Sequence, residues 1–220
     1  MTRKILLSFI TSFLYISTSY ANCFEVSDKG VRFFSSAADG CNSNDPLVFY
    51  SKSQNIPNHL NNFKSIAAGY SDNGYSMHFN VDKKGAPAAE QTLFSFYENT
   101  SGGLPVALAG IKSNGEFFYV HGADSTSTNG LSVAIADDAN FSLPHSVIIV
   151  YDQRREKLII NIDGVDNIAT NIDPIEVTKI ARMEIGENFS GVVNNFKTYA
   201  TRMSSIQRKS TAEILHNNKY

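Results

Sequence analysis

The chain has 220 residues, with 19 basic and 21 acidic side chains and a formal net charge of −2. This balance argues against nucleic acid, whose phosphates require a basic protein face, and against a polybasic membrane patch. With 42% hydrophobic residues, the chain can bury the core of one large β domain.

Residues 1–21 have the pattern of a secretory signal peptide. A basic pair precedes an apolar run over residues 5–16, and the letters SYA offer small residues at the two positions that a signal peptidase reads. A transmembrane anchor is the less favoured alternative, because a span needs roughly 20 apolar residues. We expect a secreted or periplasmic protein whose mature chain, residues 22–220, is one domain without a membrane span.

The only two cysteines, Cys23 and Cys41, both follow the signal peptide. In an exported chain, two lone cysteines at this separation are expected to form a disulfide. A free nucleophilic thiol is the alternative.

The chain after the signal peptide is predicted to be a series of short strands separated by turns. Tyr75–Val81 alternates apolar and polar residues, the pattern of a half-buried strand. Asn114-Gly115 predicts a hairpin, because both central turn residues must accept positive φ. The further predicted strands are Phe24–Val26, Val31–Phe34, Leu47–Ser51, Asn62–Ala68, Thr92–Tyr97, Val106–Ile111, Glu116–His121, Leu131–Ala136, His145–Tyr151, Leu158–Ile162, Glu176–Ile180 and Val192–Tyr199.

One helix is predicted near the end of the chain. Ser204 and Gln207 have the spacing of a capping box, which predicts a short helix to about Leu215. About a dozen short strands and one helix indicate an all-β, two-sheet antiparallel sandwich with a short C-terminal helix.

Two segments resemble a known group of proteins. HSVIIVYDQRREKLIINIDGV has a strand, a Tyr-Asp turn and a second strand closed by Asp163-Gly164, and IGENFSGVVNNFKTYATRMSSIQ has Gly191 before the last strand. Together with Tyr75–Val81 and the QTLFSF strand, they resemble the laminin-G/pentraxin-like jelly rolls of the concanavalin A-like lectin/glucanase superfamily. The resemblance covers about residues 62–215, and residues 22–52 match nothing in it.

The glucanase branch of that superfamily carries a Glu-x-Asp-x-x-Glu strand, which brings two carboxylates to roughly 5 Å for retaining glycoside hydrolysis. No such run occurs here, and Asp137 and Asp138 are adjacent, so they should point to opposite faces. The five histidines are scattered and no Gly-x-Ser-x-Gly elbow is present. We therefore expect no catalytic residues and no enzymatic activity.

Calcium is the cofactor that the resemblance implies, held by oxygen atoms of rim loops. The candidate loops are Ser71–Gly74, Asp124–Asn129 and Asp137–Asn140. Asp, Asn and Gly also form ordinary turns, which is the alternative explanation for each loop.

By resemblance to lectin-like relatives, the chain is expected to bind a glycan through rim loops. Aromatic side chains would stack on a sugar ring, although the chain has no Trp. Tyr119 shares its strand face with Phe117, so packing in the core is its alternative role. The candidate ligand-binding residues are Tyr97, Tyr119 and His121 for stacking, with Asp124 and Asn129 for hydrogen bonds.

The expected function is therefore that of a secreted, non-catalytic recognition domain for glycans or a glycosylated surface. An alternative is an interaction subunit that docks onto another exported protein through a sheet edge or a sandwich face. A glycoside hydrolase or lyase with an unfamiliar site ranks last.

Overall fold

The structure, a computed structural model, describes residues 24–27, 30–33, 47–50, 74–83, 89–135, 138, 143–175, 180–186, 189–199 and 201–217, and for the first three ranges it describes the backbone alone. The predicted signal peptide, both cysteines of the predicted disulfide and the predicted strand Asn62–Ala68 lie outside the described residues.

The described strands form two antiparallel sheets that enclose one core, which confirms the predicted all-β sandwich. In chain order the strands are β1 (Phe24–Ser27), β2 (Gly30–Phe33), β3 (Leu47–Tyr50), β4 (Tyr75–Asp82), β5 (Gln91–Tyr97), β6 (Ala107–Ile111), β7 (Phe117–Val120), β8 (Gly130–Val133), β9 (His145–Asp152), β10 (Lys157–Ile162), β11 (Val165–Thr170), β12 (Arg182–Ile185) and β13 (Gly191–Tyr199).

The first sheet has the strand order β1-β2-β13-β4-β9-β10-β11, and the second has the order β3-β12-β5-β6-β7-β8. The strands β1 and β2 lie at one edge of the first sheet, and β3 lies at an edge of the second. The N-terminal segment that resembles nothing in the superfamily therefore contributes three strands to the sandwich.

The core lies between the two sheets. The four alternating apolar residues of β4, from Tyr75 to Val81, are each at most 1% exposed, as their pattern predicts. The ring of Phe79 in the first sheet stacks on Phe196 at 5.4 Å and meets Phe94 of the second sheet edge-on at 5.8 Å. Aromatic contacts of this kind join the two sheets.

The helix α1 (Ser205–Asn217) begins with the predicted capping box. The Ser204 amide donates a hydrogen bond to Gln207 Oε1 at 2.8 Å, and the Gln207 amide donates one to Ser204 Oγ at 3.3 Å. The two bonds satisfy backbone donors that the first turn of a helix leaves unpaired.

The helix covers the outer face of the first sheet. Its residues Ala212 and Leu215 pack in one cluster with Ile148, Val150 and Ile159 of β9 and β10. Apolar residues occur on both faces of these central strands because both faces are covered.

The polar face of β4 is buried too, where the alternating pattern predicted a solvent-facing side. Ser76 Oγ donates to the Thr201 carbonyl at 2.6 Å, and Asn80 Nδ2 donates to the Leu215 carbonyl at 3.3 Å. The helix and the segment before it supply these carbonyl groups, so Ser76 and Asn80 are paired although they are buried. The ring nitrogens of His78, on the same face, have no hydrogen-bond partner within the described structure.

The predicted hairpin turn at Asn114-Gly115 and the Asp163-Gly164 turn differ in geometry. In the β6–β7 hairpin only Gly115 has positive φ, at 83°, so the expectation of two positive φ values is wrong for this turn. In the β10–β11 hairpin Asp163 and Gly164 have φ of 51° and 91°, the two positive values that a type I′ turn requires.

Two strands were not predicted. β11, with the sequence VDNIAT, is a half-exposed edge strand, and β12, RMEI, has two charged residues among four. β11 lacks an apolar alternation, and β12 alternates over only four residues. The predicted strand Glu176–Ile180 is described only at Ile180, which is in no strand.

Candidate functional site

Three of the predicted ligand-binding residues lie around the β7–β8 connection. His121 directly follows β7, Asn129 directly precedes β8, and Asp124 lies between them. A pocket of about 260 Å³, here called the rim pocket, lies at this end of the second sheet. Its lining residues are Val106, His121, Gly122, Asn129, Asp173, Pro174 and Ile175.

The His121 ring is buried and bonded on both sides. Its Nδ1 lies 2.6 Å from the Asp173 carbonyl, which can only accept, so Nδ1 carries the proton. Burial lowers the pKa of His121 to about 4, although the bond to Asp173 opposes the shift, and the neutral ring then accepts at Nε2 from the Tyr75 hydroxyl at 2.6 Å. The Tyr75 and Tyr119 hydroxyls are also hydrogen-bonded to each other.

The polar side chains of the rim loop are engaged in the same way. Asn129 accepts the Asp173 amide at 2.7 Å and donates to the Asp173 carbonyl at 3.3 Å, as a paired strand would. Asp124 Oδ1 accepts the Thr126 amide at 2.8 Å, which closes an ordinary Asx turn. These bonds fix the loop and leave few groups for a ligand.

The three candidate stacking residues, Tyr97, Tyr119 and His121, do not face one groove. Tyr119 is fully buried in the core beside Phe117, as its alternative role predicted. Tyr97 lies on the other face of the second sheet, because Phe96 faces the core, and its ring packs 3.9 Å from the Arg182 guanidinium.

The described carboxylates of the candidate calcium loops already accept hydrogen bonds from the protein. Asp124 Oδ1 accepts a hydrogen bond from the Thr126 amide. Asp138 Oδ2 accepts from His145 Nε2 at 2.9 Å and from the Leu143 amide at 2.7 Å. Within the described ranges, no three His, Cys, Asp or Glu side chains are grouped to hold a metal. The loop Ser71–Gly74 is described only at Gly74.

A larger cavity lies between α1 and the β10–β11 hairpin. It has a volume of about 620 Å³, which is within the range of small-molecule sites. We call it the helix groove. Among the residues that line it are Asn161, Asp163 and Asp166 on the hairpin side, and Arg208, Lys209, Glu213 and His216 on the helix side.

The hairpin side of the helix groove is a rigid network centred on an ion pair. Arg208 donates to both oxygens of Asp166, at 2.6 and 3.3 Å, and Asn161 Nδ2 donates to the same carboxylate at 2.7 Å. Burial alone would raise the pKa of Asp166, but these bonds and the charges of Arg208 and Lys157 outweigh it and lower the pKa.

The second carboxylate of the hairpin side is held by a histidine. His145 is buried between two carboxylates, with Nδ1 2.6 Å from Asp163 and Nε2 2.9 Å from Asp138. Burial lowers the pKa of His145, but the hydrogen bonds to Asp163 and Asp138 and their charges outweigh it, so the pKa is raised. The bond to His145 thus holds the Asp163 side chain in the hairpin turn.

The helix side of the groove differs, because its ionisable side chains are exposed. Lys209, Glu213 and His216 follow one another at spacings of four and three residues, which places them along one helix face. None of the three side chains makes a hydrogen bond or ion pair with another described residue. They are therefore available to a ligand.

Sequence reasoning missed the helix groove. The ion pair that anchors it joins Arg208 and Asp166, which are 42 residues apart, and no local motif connects them. The available signal was the charged face of the predicted helix, whose apolar residues filled only part of its surface.

Solved structures of two kinds share this fold. Trypanosoma rangeli sialidase in complex with sialic acid matches 86% of the chain with a TM-score of 0.57 and 12% identity, and the chain spans 28% of that protein. The heptameric SAP-like pentraxin from Limulus polyphemus matches 64% of the chain with a TM-score of 0.50 and 14% identity, and the chain spans 70% of it.

A mutant of the Trypanosoma rangeli sialidase with trans-sialidase activity matches 90% of the chain with a TM-score of 0.55, and the chain spans 29% of it. No family model and no curated protein matches the sequence. The fold is therefore the two-sheet antiparallel β-sandwich that these sialidase and pentraxin structures share, as the resemblance implied. No helix in the described part of the chain is long and apolar enough to cross a membrane.

Proposed function

We propose that the protein is a non-catalytic carbohydrate-recognition domain that binds glycans in the helix groove. The observation that carries the proposal is the uncommitted row of Lys209, Glu213 and His216 facing a rigid polar hairpin across a ligand-sized cavity. The rim pocket is less suited, since its volume is smaller and its polar side chains are engaged.

The mixed charge of the groove favours a neutral, hydroxyl-rich ligand. A cation would meet Lys209 and Arg208, and an anion would meet Glu213 and Asp166, so neither is well matched. A hydroxyl both donates and accepts, so it can pair with an ammonium, an imidazole or a carboxylate. Sugars carry several such groups on adjacent carbons.

We infer that the domain is non-catalytic because both hairpin carboxylates are paired with basic side chains. Glycoside hydrolysis needs one carboxylic acid that stays protonated through a raised pKa. Asp166 has a lowered pKa because Arg208 pairs with it, and Asp163 is paired with His145. Both are therefore suited to accepting hydrogen bonds.

Two further points support the proposal. A sialidase and a pentraxin share the fold, and one of these structures contains a bound sugar, sialic acid. The signal-peptide pattern of residues 1–21 fits an exported protein, which would meet glycans outside the cytoplasm.

The proposal is tested by applying the purified protein to a broad glycan array, with and without EDTA. We expect specific binding that competing free sugar removes and that EDTA leaves unchanged, because the helix groove can bind hydroxyls without a metal. Glu213→Gln combined with His216→Ala should weaken binding at least tenfold, because bonds to charged groups contribute roughly 1.5–3 kcal/mol.

Glu98→Gln is the matched control, since it removes an exposed carboxylate far from the helix groove and should bind as the parent does. If the Glu213/His216 variant kept the affinity of the parent protein, the helix groove would not be the binding site. If the folded protein bound no glycan on the array, an interaction subunit would be the favoured function. Gel filtration with extracts of its own cell would then detect the complex with a partner as a change in size.

A further inference from the structure

A second cavity, of about 310 Å³, lies at the start of α1. It shares Ser205 and Arg208 with the helix groove, so the two cavities are neighbours along one side of the helix. We call it the basic pocket. The charged residues that line it are Asp152, Arg155, Lys157, Arg202 and Arg208.

The charge of the basic pocket is positive, in contrast to the mixed charge of the helix groove. Four cationic side chains line it against one carboxylate, although the whole chain has a net charge of −2. Asp152 Oδ2 pairs with Arg202 Nη1 at 2.6 Å and with Arg155 Nη1 at 3.4 Å, so one negative charge is shared by two guanidinium groups. Arg208 is neutralised by Asp166, and the charge of Lys157 remains. The pocket is thus suited to an anionic group.

The floor of the basic pocket is apolar. Val150, Ile159 and Met203 line it and belong to the cluster beneath the helix. Charges held over an apolar floor are less screened than charges in open water, so the attraction of an anion is stronger there. An apolar floor also suits the carbon skeleton of a ring.

A hydrogen-bond donor is missing next to the cationic groups. The Asp152 side chain is only 6% exposed, and its Oδ1 has no hydrogen-bond partner among the described residues. A buried carboxylate oxygen that lacks a donor costs free energy, and a hydroxyl supplies such a donor. A ligand with both an anionic group and a hydroxyl can therefore pair with the cationic groups and, when the carboxylate turns toward the pocket, with Asp152.

We propose that the basic pocket is the subsite for a sugar residue that bears a carboxylate, within a glycan whose neutral residues occupy the helix groove. This inference rests on the proposed function. Arg155 and Arg202 bind the carboxylate through their planar forks, which match a carboxylate better than an ammonium does. An adjacent hydroxyl of the same residue donates to Asp152 once its carboxylate turns toward the pocket, because Oδ1 is closed to solvent in this structure. The protein is thus selective for acidic over neutral glycans.

Calorimetric titration with two matched pairs of sugars tests the inference: 3′-sialyllactose against lactose, and glucuronate against glucose. We expect the acidic member of at least one pair to bind tenfold or more tightly than its neutral counterpart. Raising the salt concentration should reduce this preference, because the cationic side chains are partly exposed. Arg155→Gln combined with Lys157→Gln should abolish the preference and leave the affinity for the neutral sugar unchanged.

Lys112→Gln is the control for the loss of a surface cation elsewhere, because Lys112 lies on the β6–β7 turn of the second sheet, and this variant should keep the preference. Arg155 is largely exposed, so the double variant is expected to fold, and circular dichroism checks this. Arg202→Gln removes the closer partner of the buried Asp152 and serves as a second, more disruptive variant.

Equal binding of acidic and neutral sugars would overturn the acidic subsite and leave the proposed function intact. A preference that survives in the Arg155/Lys157 variant would also overturn it, because the carboxylate would then be bound elsewhere. Failure of both acidic probes to bind would reject the inference whatever neutral glycans bind. Only silence on the whole glycan array rejects the proposed function as well.

Discussion

Three buried histidines have pKa values displaced in opposite directions, and they make stability depend on pH. Burial lowers the pKa of His78 to about 4, with the nearby charge of Lys197 as a second cause, and burial lowers that of His121 to about 4 against the opposing bond to Asp173. The folded protein then binds fewer protons than the unfolded chain between pH 6.5 and 4. The free energy of unfolding should fall across this window, by on the order of 3 kcal/mol for each fully titrated histidine.

His145 acts in the opposite direction. Its raised pKa means that the folded protein holds a proton which the unfolded chain loses above pH 6.5. The stabilisation is complete below pH 6.5 and is lost as the pH rises through the pKa of the folded state. Together with the two depressed histidines, it predicts a maximum of stability near pH 6.5.

Urea unfolding over a pH series measures both limbs of this curve. His78→Phe should reduce the loss of stability between pH 6.5 and 4, because the ring nitrogens of His78 make no hydrogen bond within the described structure and a ring of similar shape keeps the edge contact with Tyr199. His145→Gln should flatten the alkaline limb alone. Unchanged slopes in these variants would show that other groups set the pH dependence.

The binding residues could be predicted from the sequence only in part, for reasons of strand geometry. His121 and Asn129 do line a common pocket, because they end and begin neighbouring strands. For Tyr119 the sequence also predicts packing in the core, since residues two apart in a strand share a face and Phe117 is apolar. The face of Tyr97 depends on Phe96 facing inward, which the apolar sequence around both residues does not reveal.

Among the secondary-structure elements, α1 has the widest influence on the site. It covers the first sheet, forms one side of the helix groove and begins at the basic pocket. Its only link to β11 among the salt bridges of the described residues is the pair between Arg208 and Asp166. A helix held mainly by one face and one cap should be sensitive to the loss of the cap.

Ser204→Ala is therefore expected to lower the free energy of unfolding by about 1 kcal/mol, because it removes the hydroxyl that accepts the Gln207 amide. Ser210→Ala, an exposed change in the middle of the same helix, is the control and should be neutral or slightly stabilising. Chemical denaturation followed by circular dichroism compares the two. Equal stability of both variants would mean that the capping box contributes nothing in the intact protein.

Elements with strong local signals were predictable, and those defined by their neighbours were not. β4 and α1 follow from an alternating pattern and a capping box, which are properties of a few adjacent residues. β11 is polar and becomes a strand because β10 pairs with it through the Asp163-Gly164 turn. The helix groove exists only because α1 lies across from that hairpin, a long-range arrangement that local spacing does not encode.

At the scale of the whole molecule, we assign ligand binding to the helix that packs on the sandwich and not to the sandwich itself. Its core residues are almost fully buried, and the rim loop around His121 is fixed by its own hydrogen bonds. The exposed, uncommitted charges of the site belong instead to the helix that packs on the outside of the first sheet. This division predicts that ligand binding changes the surroundings of α1 and leaves the rim loop unaffected.

The most direct test of glycan binding in the helix groove is a nitrogen-15 NMR titration of the protein with 3′-sialyllactose and with the strongest ligand from the glycan array. We predict that backbone amide signals shift in α1, around Glu213 and His216, and in the β10–β11 turn at Asp163-Gly164. Shifts confined to the rim loop from His121 to Asn129, or no shift with either ligand, would contradict it.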